Sequence, residues 1–404
     1  MRRTGLSQRW KFWGVAYTSV VLSAGSNLPT PLYRSYETAF GFTPLMVTLI
    51  FAVYVAALIP SLLLIGPLSD AVGRRPVLLA AVLLAAAGSA IFALAAGTWW
   101  LFGARILQGV ALGAASGALI AALVDLEPTG DRRKAALIST VGTVCGLGAG
   151  PLLAGWLAQY ASYPLVLPYA VEIVLLVPAA AVILTLPNKQ ERGRWHPTRP
   201  HIPAALRPVF ATSGVVSFFA FTVLALFLTL IPSYIATVAR SSNLLLGGAA
   251  VALMLACSAC AQLIGYRRPP HKLETVGLPI LAAGLLALTS AGFTSSLLLF
   301  VLAISLAGIG QGLAYLGGLT AVNQVAPAHR HAEVLSSFYI IIYLGVGLPV
   351  IGVGFLATRI PLTTTVELSA VLIAFACLIL LTLTAHRQSK KAPNTKKRSS
   401  TTAI

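Results

Sequence analysis

Gly66-Pro-Leu-Ser-Asp-Ala-Val-Gly-Arg-Arg-Pro76 stands between two apolar runs, 48–65 and 77–96. Each run is about as long as a helix needs to be to cross the hydrocarbon of a bilayer, roughly 20 residues. The stretch therefore reads as a tight loop at a membrane face, with Gly66, Pro67, Gly73 and Pro76 breaking the flanking helices. Asp70, Arg74 and Arg75 can neutralise one another, and Asp70 can cap a neighbouring helix end, where free backbone amides favour an anion. Such a loop reads as a conformational latch made of Gly66, Asp70, Gly73, Arg74 and Arg75.

Outward from this loop the same pattern repeats. The chain has 404 residues, 57% hydrophobic and 9% charged, too apolar for a soluble globule of this size. Apolar runs place twelve spans near 12–33, 45–65, 77–96, 100–123, 136–158, 164–186, 209–235, 245–265, 276–293, 297–322, 334–357 and 363–384. A formal net charge of +18 would suggest nucleic acid in a soluble protein, but the location of the charges argues against it. Of 28 Lys and Arg residues, 24 fall on the side of the termini, and only Arg34, Arg240 and Arg359 on the other, with Arg105 inside a span. That asymmetry predicts a multi-pass protein of the cytoplasmic (inner) membrane with both termini in the cytoplasm.

Met1-Arg-Arg followed by an apolar run also fits a cleaved signal peptide; the run continues toward Pro31, which favours a first span. Cys145, Cys257, Cys260 and Cys377 all fall inside spans, so none is placed for an exported disulfide, and the lone Cys257-x-x-Cys260 lacks further ligands for a metal. The basic, Pro-rich segment 188–207 divides the chain into six-span halves, 1–187 and 208–386, and leaves a basic, disordered tail, 387–404, lying against anionic lipid. A weak internal repeat supports the division. Gln108-Gly109, Gly150-Pro151 and Gly155-Trp-Leu-Ala158 are echoed in order by Gln311-Gly312, Gly347-Leu-Pro349 and Gly354-Phe-Leu-Ala357. Halves related in this way commonly hold a substrate between them at mid-membrane.

Ionisable groups inside the spans are few. Arg105 lies about two turns into span 4, where an unpaired charge costs at least roughly 2.5 kcal/mol, so it needs a partner. Glu172 is the one acid well inside a span, and it enters from the same face at a similar depth. An ion pair is geometrically possible, and burial and a nearby cation would pull the protonation of Glu172 in opposite directions. Two other readings stay open: Arg105 bonded to frayed carbonyls of span 1, and Glu172 neutral toward lipid or in a static pair. Glu37, at the outer mouth, reads as a loop carboxylate or a point of proton entry. Span 1 ends in Asn27-Leu-Pro-Thr-Pro-Leu-Tyr33, where two prolines remove backbone donors and open the helix. Asn27, Tyr33 and Gln108, with Phe218, Phe221, Gln262, Tyr339 and Tyr343, are the expected cavity lining, alongside Phe219, Tyr234, Tyr315 and Asn323. The second half is read as holding no buried ion. The loop Gly265–Lys272, in the place of the second latch, has no Asp, so the latch is expected to be asymmetric.

Three of these motifs carry a family resemblance. The loop at 66–76 resembles the signature between spans 2 and 3 of the major facilitator superfamily, G-x-L-x-D-x-x-G-R-R, with Ala71 where that family usually has a basic residue. Arg105-Ile-Leu-Gln-Gly109 resembles its span-4 signature R-x-x-Q-G, associated there with proton coupling. Gly142-x-x-x-Gly146-x-x-x-Gly150-Pro151 through Gly155 resembles the span-5 signature of the antiporter branch, with Ala154 in place of one glycine. The resemblance implies an all-α fold of twelve transmembrane helices in two six-helix halves. It also implies that Gly146, Gly150, Pro151 and Gly155 bend or seal the interface between halves. The reading reached is a monomeric secondary transporter that exports small amphipathic molecules in exchange for protons, without a cofactor. An exporter or facilitator of sugars or other small metabolites is the alternative. A membrane enzyme is disfavoured, because the spans offer no His, acid pair or metal-ligand cluster for chemistry.

Overall fold

A computed structural model describes residues 2–65, 67–187, 201–238, 240–327 and 330–391. Most of the central loop and the end of the tail, like Gly66 and the side chain of Asp70, lie outside the described residues. No strand forms among the described residues, as hydrocarbon demands of any open chain: a helix satisfies its backbone internally. The first half contains α1 (Arg2–Asn27), α2 (Tyr33–Phe40), α3 (Pro44–Leu64), α4 (Leu68–Val72), α5 (Arg74–Ala93), α6 (Thr98–Leu126), α7 (Arg132–Tyr160) and α8 (Leu167–Leu184). The second contains α9 (Arg207–Thr229), α10 (Ile231–Val238), α11 (Leu244–Gly265), α12 (Pro270–Thr294), α13 (Leu297–Val325), α14 (His331–Leu356) and α15 (Leu362–Lys391).

Eleven of these helices are long and apolar enough to cross a membrane. The twelfth span is α1, which is 26 residues long but carries Thr18, Ser19, Ser23, Ser26 and Asn27 buried inside the protein. Its polar side chains are turned away from lipid, which lowers its hydropathy without preventing a crossing. The all-helical, twelve-span architecture is thus the one expected from sequence.

Four spans differ from their expected bounds, each for a local reason. Spans 1 and 7 are not continuous: each ends in a break followed by an eight-residue helix, α1 to α2 across Pro29 and Pro31, and α9 to α10 beside Pro232. Span 9 starts at Pro270 rather than 276, since Pro is tolerated in the first turn, and this brings Glu274 inside the helix. The last helix runs on to Lys391 instead of ending before 387, through Arg387, Gln388, Lys390 and Lys391, all good helix formers.

Small residues set the packing, because between helices in lipid close backbone approach replaces hydrophobic burial. A Cβ on Gly109 of α6 would strike the Tyr54 carbonyl of α3, and one on Gly312 of α13 the Ser258 carbonyl of α11. Gly146 and Gly150 of α7 lie on the Val20 and Ala24 carbonyls of α1. The corresponding seat of α14 on α9 is Gly345, against the Phe218 carbonyl, and not Gly347, which faces Val55 of α3. The repeat is therefore written in backbone contacts.

The first six spans meet the last six mainly through α7 on α11 and α3 on α14. Gly155 sits against Leu244, Gly248 against the Pro151 carbonyl, and Gly354 against Thr48. The Leu244 amide donates to Gln159 Oε1 at 2.9 Å, and Arg34 Nη1 donates to the Ser241 carbonyl at 3.1 Å. All of these lie toward the end that carries Arg34, Arg240 and Arg359, and that end is closed.

Candidate functional site: a buried arginine and a buried carboxyl on the broken first span

The break after α1 leaves carbonyls without intrahelical donors. Pro29, which has no N–H, stands where the Gly25 carbonyl would find its partner four residues on. Gln108 Nε2 donates to Gly25 O at 3.1 Å, and Arg105 Nη1 donates to Ser26 O at 2.6 Å and to Gln108 Oε1 at 3.0 Å. Arg105 Nε donates to the Tyr33 hydroxyl at 2.8 Å. The guanidinium is fully buried, and its carbon lies 5.4–5.9 Å from the ring centres of Tyr33, Phe51, Tyr54 and Phe92. Four aromatic faces and neutral oxygens thus surround a cation held inside the membrane. The partner that the sequence required is a helix end with an aromatic cage. The cage was not foreseen, since it is assembled from α2, α3 and α5, and only spatial proximity unites them.

Glu172 of α8 is 2% exposed and faces the protein, not lipid. Its Oε2 accepts a hydrogen bond from Ser89 of α5 at 2.6 Å, and Ser89 is itself fully buried. The other oxygen presses on Gly25 of α1, where a Cβ would collide with Oε1. Glu172 and Arg105 form no ion pair: the pairs recorded among the described residues are Arg74 with Asp125 and Lys134 with Glu127. In place of the geometrically possible pair there are two separate attachments to α1: Arg105 makes four hydrogen bonds to Tyr33, Ser26 and Gln108, and Glu172 accepts its own from Ser89. A carboxyl with one hydroxyl donor and apolar surroundings pays heavily to ionise. Its protonation and the seating of α1 are physically linked.

At the basic end, Gly73 takes φ 97°, a conformation that favours glycine, and it separates α4 from α5. Arg74 then reaches Asp125 at the end of α6, Nε to Oδ2 2.6 Å. The side chain of Asp70, expected to pair with the arginines and cap a neighbouring helix end, lies outside the described residues, as does Gly66; Arg75 is half-buried. Two residues on, Glu127 accepts from the Thr129 amide and hydroxyl at 2.6 and 2.8 Å, the Asp131 amide at 2.8 Å and Lys134 at 3.2 Å. Burial works to raise its pKa, but these donors outweigh it and hold the carboxyl at about 2. The turn from α6 to α7 is fixed by an ionised side chain.

Other expected residues divide. Asn27, Tyr33 and Gln108 are buried and spend their polar atoms inside the first half, Asn27 on the Leu147 carbonyl at 3.3 Å. Phe218, Phe219, Phe221, Tyr315, Tyr339 and Tyr343 are half-buried, with Phe221 edge-on to Tyr315 at 4.9 Å. Gln262 donates to Ser258 at 3.1 Å, and Ser258 to Gln311 at 2.6 Å. Tyr234 is wholly buried and donates to Glu367 at 3.2 Å; Asn323 turns back on the Leu319 carbonyl at 2.8 Å. Glu37 is half-buried in α2, where burial, opposed by Arg34, pushes its pKa up to about 7. The expectation that the second half lacks a buried ionisable group is overturned by Glu274, 6% exposed within α12. Gly146 and Gly150 join α7 to α1 inside the first half, whereas Pro151 and Gly155 meet α11 across the interface.

Known proteins agree with this architecture. Putative multidrug resistance proteins MdtD are 30% identical to the chain in Klebsiella pneumoniae subsp. pneumoniae and 29% in Escherichia fergusonii, over 188 residues, 45% of this chain and 38% of theirs. The chain thus covers well under half the length of these relatives. A POT family transporter in complex with 5-aminolevulinic acid superposes with TM-score 0.77 at 11% identity, covering 95% of this chain and 96% of that one. The nucleoside transporter NupG does so with TM-score 0.74 at 11% identity over 93% and 99% of the two chains. A bacterial homologue of the lysosomal transporter Spinster, inward-facing, gives TM-score 0.71 at 15% identity over 94% and 96%. At such identities these likenesses establish the fold. The family profile of the Major Facilitator Superfamily matches residues 15–349, and this chain of membrane-spanning helices accordingly belongs to that superfamily.

Proposed function

We propose that this transporter exports small amphipathic molecules by proton antiport, with Glu172 as the proton carrier. The observation that carries the reading is the seating of the Glu172 carboxyl against Gly25 of α1, with Ser89 as its one hydroxyl donor. Ionising it there requires either water or a rearrangement of α1. Arg105 holds the next residue of the same segment, so a shift of α1 is felt at the break that joins it to α2 and the half-to-half contact at Arg34. The end carrying Arg34, Arg240 and Arg359 faces outward on this reading, both termini are cytoplasmic, and the two six-helix halves rock about the α7–α11 and α3–α14 contacts. The half-buried aromatic side chains of α9, α13 and α14 form a wall suited to apolar, aromatic or cationic substrates. Glu37, half-buried at the outer mouth, is the entry group for the proton.

The energetics suffice. A proton moving inward gains roughly 2.3 kcal/mol per 100 mV of membrane potential, and a hundredfold outward substrate gradient costs about 2.7 kcal/mol. One proton per neutral molecule then nearly balances such a gradient before any pH difference is added. For a monovalent cationic substrate exchanged one for one, voltage drops out and the pH gradient alone drives export. Inside-out vesicles with an acidic lumen, challenged with a panel of neutral and cationic amphiphiles, test this: a substrate should collapse the pH gradient as it enters. A panel that moves without dissipating the gradient, or only down its own gradient, leaves a facilitator of small metabolites as the better reading.

A further inference from the structure

The second half holds a buried carboxyl to which the export reading gives no role. Glu274 lies one turn into α12, and its Oε1 accepts from Ser213 Oγ of α9 at 2.8 Å. Two consecutive glycines of α13 close the site. A Cβ on Gly317 would lie 2.8 Å from Glu274 Cγ and 3.0 Å from the Pro270 carbonyl, and one on Gly318 2.9 Å from the Ser213 carbonyl and in collision with Ser217 Oγ. Ser217, one turn beyond Ser213 on the same face of α9, is fully buried, and its hydroxyl has no hydrogen-bond partner among the described residues. Leaving a buried hydroxyl unsatisfied is costly.

Among the described residues the surroundings of Glu274 supply no compensating charge. No described basic side chain lies within 4.0 Å of it. From α9 it faces Ser213, and from α13 the glycine backbone. Of the titratable side chains of α15 that are described, Glu367 lies at the opposite end of that helix and Cys377 is a thiol, while His271 and Lys272 on the preceding turn of α12 are exposed. An ionised carboxylate with one hydroxyl donor is unfavourable here, so something positive must accompany it. A site too tight for one methyl group on α13 offers little room for a metal ion and its six or so oxygen ligands, but a proton needs none.

We infer that Glu274, with Ser213 and Ser217, forms a second proton-binding site, in the other half from Glu172 and toward the opposite end of the membrane. The neutral acid has its own O–H to donate, and a small rotation brings a Ser hydroxyl within reach as acceptor. Release of the proton to the basic end leaves a carboxylate that pulls α9 and α12 apart to admit water. The transporter then carries a proton site in each half.

Infrared difference spectroscopy of the purified full-length protein during pH steps tests this without any transported substrate. Glu274→Gln should remove one protonated-carboxyl band, and Glu172→Gln should leave that band in place. Ser213→Ala removes a donor that favours the charged form, so the band's midpoint should rise by about one pH unit. A spectrum unchanged by Glu274→Gln would overturn the proposal, and so would a midpoint that tracks added sodium, which would make the site a metal-ion site. The proton count does not depend on export, so a protein that keeps the Glu274 band but never couples transport to protons would sink only the antiport reading.

Discussion

Arg105 and Glu172 grip consecutive residues of α1 without pairing with each other: Arg105 bonds the Ser26 carbonyl, and Glu172 fills the space left by the missing side chain of Gly25. A direct salt bridge would fix the protonation state of the acid, whereas attachment to a broken helix ties that state to helix position.

Arg105→Lys should lose transport by at least tenfold while the protein still inserts. Lysine keeps the charge but cannot bond Ser26, Gln108 and Tyr33 together as a planar fork does. The orphaned acceptors should lower stability by about 2–4 kcal/mol. Thermal melts in detergent, run beside transport assays, separate the two effects; full transport by the Lys variant would show that charge alone matters.

Gly248→Ala should weaken the closed end, because the added Cβ meets the Pro151 carbonyl of the other half. Thiol labelling of single cysteines placed near Ser241 and Gln159 should rise several-fold. Gly103→Ala is the control: nothing lies within 4 Å of the new Cβ, and the better helix propensity should stabilise by up to about 1 kcal/mol. Equal labelling in both variants would remove the gate from this interface.

The Arg74–Asp125 bridge is partly exposed, with side-chain exposures of 25% and 56%, so it contributes only about 0–1 kcal/mol to stability. Its loss should nevertheless slow transport if the loop between α3 and α5 is a latch. Arg74→Asp should be impaired, and Arg74→Asp with Asp125→Arg partly restored. Failure of the double exchange to restore anything would leave Arg74 acting through other contacts.

Glu37 gives a pH signature outside the spans. Its folded pKa, near 7, exceeds the ordinary carboxyl value of 4.5, so its contribution to stability is full below pH 4.5 and is lost as pH rises through about 7. Glu37→Gln should flatten the decline in melting temperature over that window. An identical slope in the variant would mean that the carboxyl is solvated.

Much of this was readable from spacing alone. Span number, the loop between the second and third spans and the isolation of Arg105 and Glu172 follow from apolar run lengths and the scarcity of charge, which a bilayer enforces residue by residue. The partners were not readable. Phe51 and Phe92 look like any core aromatics until α3 and α5 bring them to Arg105, and Ser89 is an ordinary small residue on an apolar helix. Glu274 was misplaced because Pro270 can open a helix as well as close a loop. Gly150 was assigned to the seam between halves, where Gly155 belongs, since a stripe of glycines does not say which neighbour approaches.

The central claim, that Glu172 carries the proton, is tested most directly by uphill export in inside-out vesicles energised by a pH gradient, comparing the native protein with Glu172→Gln. Glutamine keeps the shape and can still accept from Ser89, so substrate binding and downhill exchange should persist while gradient-driven accumulation falls at least tenfold. Accumulation by Glu172→Gln at the native level, with the native pH dependence, would contradict the account.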